Sequence, residues 1–164
     1  MTPLEGLELE EDMTFQRRNW TAERIAWAIM ALVVVAALAG LFGTGPMSRT
    51  VIRDGRGVDI EYERFQRMSS PGLLRLDVAV VRASEGRLSV DLDREFLDTF
   101  RLETIRPEPA ATTATRRGMR LSFATAGEHA TFYLTVRPTR IGFARPLLAV
   151  SNGAPMALSV FVYP

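Results

Sequence analysis

Residues 25–42, IAWAIMALVVVAALAGLF, form an uninterrupted run of uncharged residues. An α-helix rises about 1.5 Å per residue, so about 20 such residues cross a hydrocarbon core of about 30 Å. Residues 22–45 supply that length, and the following Gly-Thr-Gly-Pro sequence at residues 43–46 is typical of a helix end. We predict one transmembrane helix over residues 22–45 and no other membrane span in the chain.

The predicted helix carries both interface anchors and a packing surface. Tryptophan and arginine favour the level of the lipid headgroups, and the predicted membrane-interface residues are Trp20, Trp27, Arg17, Arg18 and Arg24. Small residues spaced four apart allow a second helix to approach closely, and the predicted helix-packing residues are Ala36, Ala39, Gly40, Gly43 and Thr44. The alternative is that alanine and glycine are simply frequent in membrane helices. Because residues 25–42 contain no charged side chain and no histidine, we expect an anchor and not an ion path.

A cleaved secretory signal is the alternative interpretation of this segment. Ala37, Leu38 and Ala39 resemble a small-x-small cleavage site, and the arginine pair at residues 17–18 resembles a twin-arginine signal. The apolar region of a secretory signal has about 7–15 residues, and the apolar run here is longer. The segment before the run is acidic, which is also untypical of a signal. We favour the anchor. A short head followed by a long domain favours a cytoplasmic N-terminus and, in a bacterial inner membrane, a periplasmic C-terminal domain.

The segments on either side of the helix differ in character. Residues 1–21 are an acidic head with little apolar area, which we expect to order only on a partner. Residues 46–57 are predicted to be a linker and a first turn. From residue 58 to residue 164 apolar and polar residues alternate in short runs such as Val58, Ile60 and Tyr62, a pattern typical of half-buried strands. Seven to nine such strands, with one helical turn at residues 94–100, predict an antiparallel β-sandwich of immunoglobulin-like type; a small barrel is the alternative.

Composition argues against most catalytic chemistry. The chain has no cysteine and a net charge of +1, which excludes thiolate chemistry and does not fit a nucleic-acid binder. The single histidine, His129, lies alone in a turn, and we predict a surface residue there. The acids Asp91, Asp93, Glu95 and Asp98 lack the glycine and the final glutamate of a calcium loop. We therefore predict no enzyme, no catalytic or metal-binding residue and no directly bound cofactor; an enzyme using an acid pair such as Asp91 and Asp93 is the weakest hypothesis.

Two arginine-rich stretches are predicted to contact a partner, because arginine and tyrosine are enriched at protein interfaces. The predicted contact residues are Tyr62, Arg64, Phe65 and Arg67 in the first stretch, and Arg116, Arg117 and Arg120 in the second. The alternatives are solvated loop charge for the arginines and core packing for Tyr62 and Phe65.

Several short segments together resemble a family of uncharacterised single-span bacterial membrane proteins with an outward-facing β domain. These are FQRRNW at residues 15–20, GLFGTGPMS at 40–48, YERF at 62–65, PEP at 107–109 and FVYP at 161–164. The resemblance covers nearly the whole chain and implies a topology, but it implies no functional residue. In architecture the chain is also similar to accessory single-span subunits of bacterial photosynthetic reaction-centre and light-harvesting supercomplexes.

That similarity implies a non-catalytic accessory subunit that stabilises a reaction-centre–antenna assembly through its helix and its periplasmic β domain. Its expected partners are the lipid bilayer and other membrane-protein subunits, including reaction-centre and light-harvesting polypeptides. No nucleic-acid partner is expected. The alternative is a free-standing, membrane-anchored periplasmic sensor or binding module for a ligand or a protein.

Overall fold

The structure is a computed structural model that describes residues 13–39, 47–79, 86–125 and 128–164, with side chains from residue 19 onward. The described chain consists of one N-terminal helix and a separate β domain. Helix α1 spans Met13–Leu38. Within it Asn19–Leu38 has a mean hydropathy of 1.8 and is long and apolar enough to cross a membrane.

The observed helix differs from the predicted one in its start. Helix α1 begins at Met13 and so takes in the second part of the predicted acidic head. Residues 13–18, MTFQRR, contain no glycine or proline that would stop the helix from extending towards the N-terminus. Residues 40–45 of the predicted span and residues 1–12 of the head lie outside the described residues.

The β domain contains thirteen described strands and one short helix. In chain order they are β1 (Arg49–Arg53), β2 (Val58–Glu63), β3 (Phe65–Arg67), β4 (Gly72–Ala79), β5 (Arg87–Asp93), α2 (Arg94–Thr99), β6 (Phe100–Arg106), β7 (Ala111–Thr115), β8 (Gly118–Ala124), β9 (His129–Pro138), β10 (Gly142–Ala144), β11 (Leu147–Val150), β12 (Met156–Ala157) and β13 (Val160–Tyr163).

The strands form three sheets. Sheet 1 has the order β1-β2-β4-β9-β6, sheet 2 the order β12-β11-β5-β8-β7 and sheet 3 the order β10-β13-β3. All neighbouring strands are antiparallel except β3 and β13, which run parallel. The predicted, mostly antiparallel β domain is therefore confirmed.

One hydrophobic core joins the sheets. Strands β2, β4, β5, β8 and β9 contribute alternating apolar side chains that point inward, and the buried members of this set are at most 3% exposed. Phe123 of sheet 2 and Phe132 of sheet 1 pack with their ring centroids 4.4 Å apart. Because aromatic side chains bury large apolar areas, this contact is a principal link between the two five-stranded sheets.

Helix α2 connects β5 to β6 at the place where one helical turn was predicted. Asp93 caps its N-terminus, since a carboxylate oxygen accepts a hydrogen bond of 2.7 Å from the N–H of Phe96. The ring of Phe96 is fully buried, with its centroid 5.2 Å from that of Phe100. The cap therefore fixes the direction in which the chain leaves β5.

Residues 49–53, placed in the predicted linker, form strand β1 and pair with β2. The turn between these strands is held by the Asp54 carboxylate, which accepts hydrogen bonds from the N–H groups of Arg56 at 2.7 Å and Val58 at 3.0 Å. Strand β1 is an edge strand whose residues are exposed or half-buried. Since it contributes no fully buried face, its sequence lacks a strong alternating pattern.

Candidate partner-binding cleft

A cleft of about 550 Å³ lies over sheet 2 near the β7–β8 turn. Its polar floor comes from paired positions on neighbouring strands: Asp91 of β5 lies opposite Arg120 of β8 and opposite Ala149 of β11. Leu147 and Pro155 add apolar surface to the lining. The cleft thus combines a cationic side with an apolar side, as binding sites for small molecules and peptides commonly do.

The floor is fixed by an ion pair with two hydrogen bonds. The Arg120 Nε donates to one Asp91 carboxylate oxygen at 2.6 Å, and an Nη donates to the other at 3.0 Å. The hydrogen bond and the charge of Asp91 raise the pKa of the Arg120 guanidinium above its usual value. Because the two charges neutralise each other, Arg120 stabilises the floor of the cleft and does not itself pair with a charged ligand.

Arg116 and Arg117 form the two-residue turn between β7 and β8, and both line the cleft. Both residues are exposed, and within the part of the chain that the structure describes neither guanidinium has an ion-pair or hydrogen-bond partner. Two adjacent guanidinium groups at a hairpin tip offer forked donors to a carboxylate or phosphate.

Gly118 places this turn directly against strand β5. Its φ is +153°, and a Cβ at this position would lie 2.0 Å from the carbonyl oxygen of Leu92. The approach leaves no room for a side chain, so a glycine is required where β8 begins. The tip with Arg116 and Arg117 is consequently held close to the β5 end of the cleft.

The opposite rim is the turn after β11, where Asn152 and Gly153 line the cleft. Ser151 and Asn152 have φ values of 45° and 58°, and the N–H of Gly153 donates to the Val150 carbonyl at 2.8 Å. The Asp93 carboxylate also lines the cleft, but one of its oxygens caps α2. The lining therefore carries three arginines against two engaged carboxylates.

The structure brings the second predicted contact stretch together and divides the first. Arg116, Arg117 and Arg120 all line the cleft. Tyr62 is only 3% exposed, and its hydroxyl accepts a hydrogen bond of 3.0 Å from the N–H of Ser159. This places Tyr62 in the core and not on a contact surface, because the alternation that buries Val58 and Ile60 also buries residue 62. The remaining residues of that stretch, Arg64, Phe65 and Arg67, lie in or beside sheet 3.

The predicted helix residues fall partly within the described chain. The Arg24 guanidinium lies 3.8 Å from the ring centroid of Trp20, a cation–π contact one turn apart. Trp27 is 68% exposed, and Ala36 and Ala39 are half-buried. The predicted packing residues Gly40, Gly43 and Thr44 and the side chains of Arg17 and Arg18 lie outside the described residues.

The polar groups considered for chemistry are dispersed or already engaged. His129 is exposed at the start of β9. Asp91 and Asp93 make the contacts given above, and the Glu95 carboxylate accepts the N–H of Arg145 at 2.8 Å. Across residues 13–39, 47–79, 86–125 and 128–164, no three His, Cys, Asp or Glu side chains are grouped so that they could hold a metal ion.

The structure also shows an exposed aromatic surface that was not predicted from the sequence. Phe143, in β10, is 88% exposed, the highest value for a large apolar side chain among the described residues. It stacks on Phe161 of β13 with ring centroids 4.5 Å apart. The available signal was the segment RIGFAR at residues 140–145, in which two large apolar residues lie between two arginines.

Comparison with known proteins adds a weak structural likeness. No family model matches the chain, and no curated protein matches it. Among solved structures, domains 4 and 5 of the S-layer protein SbsC are similar over 70% of this chain and 51% of theirs, with 10% sequence identity and a TM-score of 0.38. The chain thus spans about half the length of that structure.

Proposed function

We propose that this chain is a membrane-anchored, non-catalytic binding protein whose β domain binds an acidic segment of a partner protein in the cleft over sheet 2. The observation that carries the proposal is the pair Arg116 and Arg117, exposed at the β7–β8 hairpin tip beside the Arg120–Asp91 ion pair. Such a protein serves as an accessory subunit of a larger membrane complex.

The anchor is supported by the surface of helix α1. Large apolar side chains are exposed around it, with Trp27 and Leu32 at 68% and Leu38 at 80%. A helix that is apolar on all sides is stable only where lipid or protein covers it. In the proposed arrangement α1 crosses a bacterial inner membrane, with the N-terminus cytoplasmic and the β domain periplasmic. The compartment and the orientation stay predictions.

The binding role is supported by the difference between the three cleft arginines. Arg120 is neutralised by Asp91, whereas no partner is described for Arg116 or Arg117. Binding a carboxylate at this tip does not require breaking an existing ion pair. The apolar side of the cleft at Leu147 and Pro155 then accepts the aliphatic part of the bound segment.

At the level of fold, we propose that sheets 1 and 2 are the two layers of a β-sandwich of immunoglobulin-like type. The contact of Phe123 with Phe132 and the shared core support two facing layers. The photosynthetic reaction-centre complex expected from the resemblance stays a prediction, because no contact or comparison bears on it.

The first test isolates the full chain from native membranes in mild detergent and identifies proteins that co-migrate at fixed stoichiometry. The double variant Arg116→Glu/Arg117→Glu is compared with Arg101→Glu/Arg106→Glu, which makes the same charge change at exposed positions of β6. We expect the cleft variant to lose the partner and the β6 variant to keep it. Equal retention by both variants would contradict the proposal.

A second test uses a defined probe, a fluorescent hexaglutamate peptide added to the full chain in neutral detergent. Anisotropy should show binding that weakens at least tenfold in Arg116→Glu/Arg117→Glu, about 1.4 kcal/mol. The Arg101→Glu/Arg106→Glu variant should bind like the parent chain. Equal weakening in both variants would assign the affinity to net charge and not to the cleft, and unchanged binding in both variants would contradict the cleft site.

The alternative function is a free-standing module that binds a small carboxylate ligand, since the cleft volume falls within the about 300–1,000 Å³ of typical ligand sites. The two functions differ in the purification experiment. A free-standing module migrates alone in detergent, and the Arg116→Glu/Arg117→Glu variant then weakens binding of short dicarboxylates.

A further inference from the structure

Sheet 3 carries a row of aromatic rings on its exposed face, which we call the aromatic stripe. Phe65 of β3, Phe161 of β13 and Phe143 of β10 occupy paired positions on adjacent strands. Their neighbours Gln66 and Val162 are buried, so the three rings project from the opposite, outer side. Phe65 and Phe161 are half-buried, while Phe143 is 88% exposed.

Further apolar side chains extend this surface. Ile141, directly before β10, is 58% exposed, and Met68, directly after β3, is 36% exposed. Apolar side chains standing singly on a surface are ordinary, but a contiguous group on one small sheet marks an interaction site. The three paired rings of the stripe are such a group, and Ile141 and Met68 lie next to two of its strands in sequence.

Exposed arginines surround the stripe. These are Arg64, Arg67, Arg140 and Arg145. The Nε of Arg64 donates to the Thr50 hydroxyl at 2.7 Å, and in the described chain the other three guanidinium groups have no ion pair. Glu63 directly precedes Arg64 in sequence, and the Glu95 carboxylate accepts a hydrogen bond from the backbone N–H of Arg145. These two carboxylates stand against four arginines, so the rim of the stripe is cationic.

Aromatic side chains flanked by arginines match the chemistry of a lipid interface. Phenylalanine inserts at the boundary between headgroups and acyl chains, while arginine pairs with anionic phosphates just above it. An acidic protein surface could pair with the arginines, but it would also need an apolar pocket to cover the exposed ring of Phe143. A bilayer supplies both environments at the required depths.

The place where the chain enters the β domain is bonded to the same sheet. The N–H of Arg64 donates to the Ser48 carbonyl at 2.7 Å, and the N–H of Phe65 donates to the Ser48 hydroxyl oxygen at 3.3 Å. Ser48 follows the predicted membrane helix closely in sequence. Tethering a domain beside its binding surface raises the effective concentration of that surface at the tether.

We propose that sheet 3 docks on the surface of an anionic bilayer, with the aromatic stripe at the interface and its arginines on lipid phosphates. The inference rests on the membrane anchor of the proposed function. It concerns a surface separate from the cleft, so the arginine tip at residues 116–117 stays available to a partner while the domain is docked.

The absence of cysteine allows a single-label test on the full chain. A solvent-sensitive fluorophore is attached at Ile141→Cys and, in a second chain, at Thr113→Cys on the exposed strand β7. Both are reconstituted in vesicles of equal parts phosphatidylcholine and phosphatidylglycerol that carry a lipid-borne quencher. We expect quenching at residue 141 to exceed that at residue 113 at least threefold, and to fall when phosphatidylcholine alone is used.

A stripe variant and a matched control complete the test. Phe143→Ser should bring quenching at residue 141 down to the level at residue 113, whereas Leu73→Ser, an exposed apolar residue of β4 at 51%, should not. Flotation of the vesicles checks the anchor separately, so that loss of anchoring is distinguished from loss of docking. Equal quenching at residues 141 and 113 in floated vesicles overturns the proposal, as does shielding of residue 141 that depends on protein concentration and not on lipid.

Discussion

Replacing Gly118 by alanine tests how the hairpin tip is held against the cleft. Gly118 has a φ of +153°, and an added Cβ would lie 2.0 Å from the Leu92 carbonyl oxygen, 2.7 Å from the Asp93 carbonyl carbon and 2.9 Å from the Asp93 Cα. All three atoms belong to backbone, so no flexible side chain can move aside. The strained backbone conformation costs about 1–3 kcal/mol and the forced overlap about 1–3 kcal/mol, which gives about 2–6 kcal/mol.

Gly55→Ala is the matched control, because Gly55 has a φ of +69° but nothing lies within 4 Å of an added Cβ. There only the conformational cost of about 1–2 kcal/mol applies. The assay is urea unfolding of the full chain in detergent, followed by the near-ultraviolet circular dichroism of tyrosine. All three tyrosines lie in the β domain. A loss in Gly118→Ala no larger than in Gly55→Ala would refute the reasoning from backbone contact.

Three further substitutions probe the core, the ion pair and the helix cap. Phe123→Ala should lower the free energy of unfolding by about 3–5 kcal/mol because its ring is 1% exposed. Phe143→Ala, at 88% exposure, should change the free energy of unfolding by less than about 0.5 kcal/mol. Similar losses for both variants in the same urea assay would contradict the assigned core. Arg120→Ala should cost only about 0.5–1 kcal/mol, since the pair with Asp91 is partly exposed. An arginine guanidinium is protonated at neutral pH in the unfolded chain, and Asp91 raises the pKa of Arg120 further in the folded chain, so this loss should shrink with added salt and stay constant with pH near neutrality; a salt-independent loss would argue against the pair. Asp93→Ala should cost about 1 kcal/mol through loss of the α2 cap, while Asp93→Asn retains a capping oxygen and should stay within a few tenths; equal losses measured by thermal unfolding would show that capping is not the cause.

The class of the β domain could be predicted because alternation reports which residues face a core. Val58, Ile60 and Tyr62 are buried as their spacing requires. The same spacing contradicts the prediction of Tyr62 as a contact residue, since a residue on the buried face of its strand is not available to a partner. Alternation does not report which strands are neighbours, so the three-sheet order was not predictable.

The structure has more strands than the predicted seven to nine, and three of them carry little apolar alternation for a physical reason. Strand β7, with the sequence ATTAT, is exposed along its whole length and so carries no apolar signal. Strands β3 and β10 each have only three residues, too short for a period to show. These elements nevertheless support both proposed surfaces, because β7 leads into the Arg116–Arg117 turn, while β3 and β10 carry rings of the aromatic stripe.

The cleft could be predicted only in part, for a related reason. Arg116, Arg117 and Arg120 are close in sequence, so their clustering is a local property. Asp91 lies on a different strand and meets Arg120 only through the register of β5 with β8. The sequence therefore indicated three free arginines, whereas the structure leaves two for a ligand and one in an ion pair.

The two proposed surfaces bind by different forces, and this difference makes them separable. The tip at Arg116 and Arg117 offers charge at an exposed turn, where attraction is screened over about 8 Å at physiological salt. The aromatic stripe adds apolar area to its arginines, and the burial of apolar area is not weakened by moderate salt. Raising the ionic strength should therefore release an acidic partner from the cleft before it releases sheet 3 from lipid. On this reasoning the domain stays docked on its membrane at an ionic strength that has already removed the partner from the cleft.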